Sequence, residues 1–192
     1  MLVLIVGLIV FLGVHSTRIV AQEWRSTRIA GLGEIRWKGL YSVAALIGFG
    51  LIIWGYSLAR QDPTVLWNAP VWSRHLAALL VLVAFVLLAA AYVPRNHIKS
   101  ALGHPMFIGV KVWALGHLLS NGTLADLLLF GSFLIWAALG FRSARARDRK
   151  AQVNYPAGSA GATVATLVAG VAGWAIFAYL LHGPLIGVAL LG

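Results

Sequence analysis

The sequence predicts an all-α, polytopic membrane bundle of about six transmembrane helices. Three observations carry that expectation. Of the 192 residues, 60% are hydrophobic and only 10% charged, where a soluble domain carries about 25% charged residues. The apolar residues fall in several runs close to the ~20 residues that a transmembrane helix needs. The charges collect in the gaps between those runs. The even spread of the runs favours one membrane domain over residues 1–192.

The first run, Leu2 to Thr17, has no positive region before it and no small-residue cleavage pattern, so it reads as a retained helix rather than a signal peptide. An amphipathic continuation towards Ile29 is expected. Arg18, Arg25, Arg28, Arg36 and Lys38 make the link basic. The second helix is expected from Leu40 to Ala59, ending at Arg60-Gln61-Asp62-Pro63, because proline cannot continue a helix interior. The third runs from Val71 to Val93 and stops at Pro94. A polar link with Arg95, Asn96, His97 and Lys99 follows. The fourth starts at His104-Pro105, with proline in the first turn where its missing N–H costs little. It ends at the turn signature Ser120-Asn121-Gly122. The fifth spans Thr123 to Phe141, followed by Arg142, Arg145, Arg147, Arg149 and Lys150. The sixth spans Ala162 to Leu181, and the apolar tail after Gly183-Pro184 is too short to cross.

The net charge is +10, from 15 Lys and Arg against 5 acids. On a soluble chain this would suggest nucleic acid. Between apolar runs it implies anionic lipid and control of topology, with no nucleic-acid partner. The links after the first, third and fifth helices hold five, two and five Lys or Arg; the other two gaps hold Arg60 and Arg74. Cytoplasmic loops carry the basic excess. The expectation is therefore a bacterial inner-membrane protein with both termini periplasmic.

The absence of cysteine removes disulfides, thiolate metal sites and covalent haem attachment. Histidine is the main remaining polar chemistry: His15, His75, His97, His104, His117 and His182. Imidazole is also the usual axial ligand of b-type haem. His97 and His182 read as solvated or interfacial, and His75, beside Trp72 and Arg74, as an interfacial anchor. His15 shares a helical stripe with Leu8, Phe11 and Leu12; His117 shares one with Met106, Val110 and Trp113. Each is a core histidine bonded to a neighbour or a ligand. His104 and His117 are 13 positions apart on one helix, ~20 Å along its axis, so they cannot clasp one iron. Lys111 lies within the fourth helix on the His104 face, either snorkelling to the interface or functional. Asp126 suits a helix N-terminus.

The stretch Gly103-His104-Pro105-Met106 through Lys111-Val112-Trp113-Ala114-Leu115-Gly116-His117-Leu118-Leu119-Ser120-Asn121-Gly122 resembles the signature of the NnrU family. Gly13-Val14-His15-Ser16-Thr17-Arg18 resembles that family's first-helix motif. The resemblance covers about residues 1–150. It implies a link to denitrification and nitric oxide metabolism, and a relation to the plant 15-cis-zeta-carotene isomerase, a b-haem membrane enzyme. By that resemblance His15 and His117 are the haem ligands and metal-bound residues, with His104 in reserve. Arg18 and Lys111 are candidates to pair with the haem propionates. Where the isomerase has a cysteine before the second histidine, this chain has Ala114.

The implied cofactor is haem b. The implied partners are membrane lipid and a hydrophobic small molecule or nitric oxide. Whether the chain is an enzyme stays open: redox chemistry and cis-trans isomerisation of a polyene lipid both fit. A second reading comes from His104-Pro105-Met106-Phe107-Ile108-Gly109, which resembles the R-H-P-x-Y-x-G element of isoprenylcysteine methyltransferases that use S-adenosylmethionine. Gly103 stands there for arginine and Phe107 for tyrosine, and only Asp126 and Asp148 supply acids downstream.

Overall fold

A computed structural model describes residues 1–187. In chain order the helices are α1 (Leu2–Val20), α2 (Gln22–Leu32), α3 (Glu34–Ala59), α4 (Trp72–Tyr92), α5 (His97–Leu102), α6 (Pro105–Ser120), α7 (Leu124–Ala151) and α8 (Ala160–Ile176). A π-helical turn, Phe177–Leu181, joins α8 to the short α9 (His182–Ile186). Among the described residues the only β feature is an isolated bridge between Val65 and Thr123. Helices α1, α3, α4 and α7 and the segment Ala160–Ile186 are long and apolar enough to cross a membrane. The protein is thus a multi-pass helical membrane protein. Helix α6 has 16 residues, a rise of ~24 Å against a hydrocarbon core of ~30 Å.

The helices pack as a row in the order α3, α1, α7, α6, α4, α8. Lipid offers no hydrophobic drive for helix association, so close backbone approach has to supply the contact energy. Glycine makes that approach available. A Cβ on Gly7 would fall 2.6 Å from Ile52 N, and one on Gly48 2.7 Å from Phe11 N. Gly55 meets the backbone of Leu4 in the same interface. At the other edge a Cβ on Gly170 would lie 2.6 Å from Val86 Cα. Gly48 and Gly170 are thus points of close helix contact. Gly173 is looser, 3.4 Å from the Phe85 ring.

Several boundaries differ from the sequence expectation, each for a local reason. The chain breaks at Ala21 (φ −136°, ψ 46°), so the amphipathic continuation of the first helix is a separate helix, α2. Gly33, with φ +82°, turns the chain from α2 into α3. Helix α3 starts at Glu34 rather than Leu40, with Glu34 in its first turn paired to Lys38 at 2.8 Å. Helix α7 runs ten residues beyond Phe141, to Ala151. Ala, Arg and Lys are good helix formers, and cations near a helix C-terminus are favourable. The basic residues taken for a link are therefore its last turns. The last helix starts at Ala160 and, through the π-helical turn, continues to Ile186. Residues after Gly187 in the tail lie outside the described region.

Loop contacts define the two ends of the bundle. At one end Leu66 N and Trp67 N donate to Gly122 O, at 2.7 and 3.1 Å, and Leu124 N donates to Thr64 O at 2.9 Å. At the other end Ser159 N donates to Arg95 O at 2.8 Å, and Arg147 Nη1 reaches Arg18 O at 3.4 Å. Asn96, fully buried, ties this end together: its amide donates to Ala90 O and Val93 O, and its oxygen caps Lys99 N at 2.7 Å. The three basic regions thus share one end, and Asp62 lies at the other.

Candidate functional site

Helix α7 carries Phe130, Phe133 and Trp136 at spacings that place all three towards α1 and α6. Trp113 of α6 lies edge-on to Phe130 and Phe133, with centroids 5.0 and 5.4 Å away. Phe11 of α1 lies 5.7 Å from Phe133. The result is a continuous ladder of rings through the middle of the row.

His117 and His15 stand at two ends of this ladder. The His117 ring stacks on Phe130 at 4.4 Å and 7°. The His15 ring packs on Phe11 at 4.2 Å and meets Trp136 and Tyr41 edge-on at 6.0 and 5.3 Å. Their neighbours Phe130 and Trp136 are six residues apart on α7, ~9 Å along the helix axis. His15 lies five residues from the end of α1.

Both imidazoles engage Nδ1, but with opposite roles. His15 Nδ1 donates to Phe11 O at 2.7 Å. His117 Nδ1 accepts from Asn121 Nδ2 at 3.2 Å, one helical turn on. In both rings Nε2 makes no hydrogen bond to any described residue. Metal-binding histidines are characteristically held in this way, one nitrogen fixed by a carbonyl or carboxyl neighbour and the other left as donor. For His117 this requires the Asn121 oxygen to face Nδ1. Beside His15, Trp136 Nε1 is buried without a partner. A b-haem takes imidazole as its axial ligand, and in this arrangement the rings of Phe11, Phe133 and Trp113 lie between His15 and His117. Among the described residues no cluster of three or more His, Cys, Asp or Glu could hold a bare metal ion, whereas haem asks the protein only for its axial ligands.

The remaining candidates fall in two other places. His104, the N-cap of α6, is held by Asp148: Nε2 to Oδ2 is 2.8 Å. Tyr155 donates to the same oxygen at 2.7 Å and lies 3.2 Å from His104 Nε2. Burial, then the bond to Asp148, pushes the Tyr155 hydroxyl up to about 12. The Lys111 ammonium sits 4.3 Å above the Phe141 ring, and His104 meets the same ring edge-on. Lys111 has no acidic partner among the described residues. Arg18 is at the same end, its carbonyl held by Arg147.

At the opposite end Asp126, only 4% exposed, accepts from Tyr56 at 2.5 Å and closes a capping box with Thr123. His97 binds Thr163, and His182 lies edge-on to Phe177. Asp126 and Asp148 are 22 residues apart on one helix, ~33 Å along it. They cannot serve one methyl-donor site, and nothing in the arrangement favours the methyltransferase reading.

Sequence reasoning missed Tyr41, Tyr56, Asn121, Trp136 and Tyr155. For Asn121 a signal existed, the four-residue helical step from His117, but its turn-like neighbours Ser120 and Gly122 masked it.

The fold defines a multi-pass helical membrane protein, with His15 and His117 set against an aromatic interior. The family model described as "NnrU protein" matches residues 3–190, and the chain belongs to the NnrU family. No curated protein and no solved structure matches it.

Proposed function

We propose that this NnrU-family protein is a membrane b-haem protein with His15 and His117 as axial ligands. One observation carries the reading: two imidazoles on different helices flank one aromatic ladder, each with Nδ1 engaged and Nε2 uncommitted. When bound, the haem would supply one-electron redox chemistry or a site for a small ligand such as nitric oxide. Phe11 O fixes the His15 ring and raises its basicity as a ligand, and Asn121 fixes the orientation of the His117 ring. The surrounding Phe and Trp side chains keep water out and the local dielectric low, which tunes the iron's potential. Lys111 and Arg18 lie at the basic end of the bundle, where they would pair with propionates. His104 remains a reserve ligand, but reaching iron would break its bond to Asp148.

The proposed role is redox metabolism linked to denitrification and nitric oxide, or haem-dependent isomerisation of a polyene lipid. The proposed setting is the bacterial inner membrane with both termini periplasmic. The test is a visible spectrum of the purified chain after reconstitution with haemin. The expected result is a Soret band at one haem per chain, shifted or lost in His15→Ala and in His117→Ala and unaltered in His97→Ala. Unaltered spectra in both ligand variants would overturn the assignment and make His104 the next residue to replace. A chain that stays colourless and binds S-adenosylmethionine would support the methyltransferase reading instead.

A further inference from the structure

The elbow between α2 and the start of α3 forms a half-open cleft of about 400 Å³, lined by Arg25, Ile29, Glu34, Trp37, Lys38 and Tyr41. Arg25 and Ile29 lie on the half-buried stripe of α2, while Trp24 and Arg28 point outward. An arginine on the inward stripe of a surface helix ordinarily has a carboxylate to meet. The Arg25 guanidinium makes no hydrogen bond or ion pair with any described residue. The one acid in the wall, Glu34, is already paired with Lys38 at 2.8 Å. The net charge of the cavity is therefore positive, and Arg25 carries it.

The elbow is also braced and placed. Trp24 and Trp37 meet edge-on at 5.8 Å, and Arg28 lies over Trp24 at 5.5 Å. Gly33 sets the turn with a positive φ that other residues rarely adopt. The elbow follows directly on α1 where the apolar span ends, so it sits at the level of lipid headgroups, where Trp and Tyr are favoured. Val43, Leu46 and Ile47, exposed and apolar, lie on the opposite side of α3 from Glu34, Trp37, Lys38 and Tyr41.

We infer that this elbow is a binding site for the headgroup phosphate of an acidic phospholipid. The Arg25 fork matches two phosphate oxygens, a geometry that lysine cannot reproduce. Trp37 and Tyr41 flank the head. The place of the elbow, at the end of the apolar span of α1, selects a lipid over a free phosphate. The site adjoins His15 through Tyr41 but does not rest on the haem reading.

The test uses the full chain, stripped of lipid in a neutral detergent and titrated with dioctanoyl-phosphatidylglycerol under native mass spectrometry. Dioctanoyl-phosphatidylcholine and inorganic phosphate are the comparison ligands. The acidic lipid should bind at one per chain, and the neutral lipid about tenfold more weakly. Arg25→Gln should weaken the acidic lipid about tenfold, the value of one strong charge-assisted contact. Arg36→Gln, an equal loss of charge outside the cavity, should change it less than about twofold. Tyr41→Phe, which leaves the arginine in place, should weaken it about threefold and gives a second reading should Arg25→Gln misfold. Equal binding of the two lipids, unchanged affinity in both Arg25→Gln and Tyr41→Phe, or inorganic phosphate binding as tightly as the lipid would each overturn the inference.

Discussion

Polar side chains in this bundle are valuable because lipid offers them no alternative partner. Asp126 shows the principle. Its two oxygens are satisfied by Tyr56, Thr123 Oγ1 and Thr123 N. Tyr56→Phe removes one donor from a buried carboxylate, and an unmet buried acceptor costs ~1–3 kcal/mol. We expect a lower melting temperature in detergent for Tyr56→Phe, while Tyr179→Phe on the exposed face stays near wild type. Equal melting of the two would refute the role of the contact. At the other end, Tyr155 donates to Asp148, and its pKa near 12 lies above the ordinary tyrosine value of ~10. Because the folded state holds the proton more tightly, its contribution is complete below pH ~10 and disappears as pH rises through 12. The melting temperature should therefore fall between pH 10 and 12, and less steeply in Tyr155→Phe. Parallel declines would exclude Tyr155 as the cause. Asn121→Leu leaves both proposed ligands in place but removes the neighbour of His117 Nδ1. It should shift the reduction potential of bound haem rather than abolish binding, and an unmoved potential would count against Asn121 as an orienting group.

Helices α1, α3, α4 and α8 owe their pairing to glycine rather than to complementary large side chains. At Gly170 the obstacle to any larger residue is the Val86 backbone, which cannot move aside as a side-chain tip can. Gly50 has open space around the position of a Cβ. Gly170→Leu should therefore lower the yield of folded protein and its melting temperature, and Gly50→Leu should be tolerated. Equal tolerance at the two positions would show that the α4–α8 approach is not needed. The same logic explains why the sequence placed helix centres better than helix ends. Apolar runs mark where lipid contacts the chain, but α3 and α7 continue past the apolar region on ordinary helix propensity, and basic residues do not end a helix.

For the whole molecule, the row of helices brings the 60–71 loop to the end where α6 meets α7, and the basic regions to the opposite end. Reporter fusions at Asp62 and Arg147 should therefore report opposite sides of the membrane. If the excess of Lys and Arg orients the chain in the usual way, Arg147 reports the cytoplasm. The same side for both fusions would be incompatible with this bundle. The row also places His15 and His117 on helices that share α7 as a common wall. The proposed ligand pair belongs to this scale, because no single helix contains it.

By itself the sequence determined the membrane class, the approximate spans and the shared side of the basic regions. These follow from composition and from the cost of leaving charge in hydrocarbon, both local properties. The motifs around His15 and His117 also marked the family. Tertiary structure alone decided which helices are neighbours, that α7 is the wall between the two histidines, and that Tyr56 meets Asp126 and Tyr155 meets Asp148. Those pairs are separated by 70 and 7 residues and come from different segments. No helical period encodes them, since they depend on which helices and connecting segments become neighbours. The inward-facing Arg25 was read from the sequence only as one charge in a basic link. Its direction was fixed by the break at Ala21 and the turn at Gly33, which fold α2 back against α3.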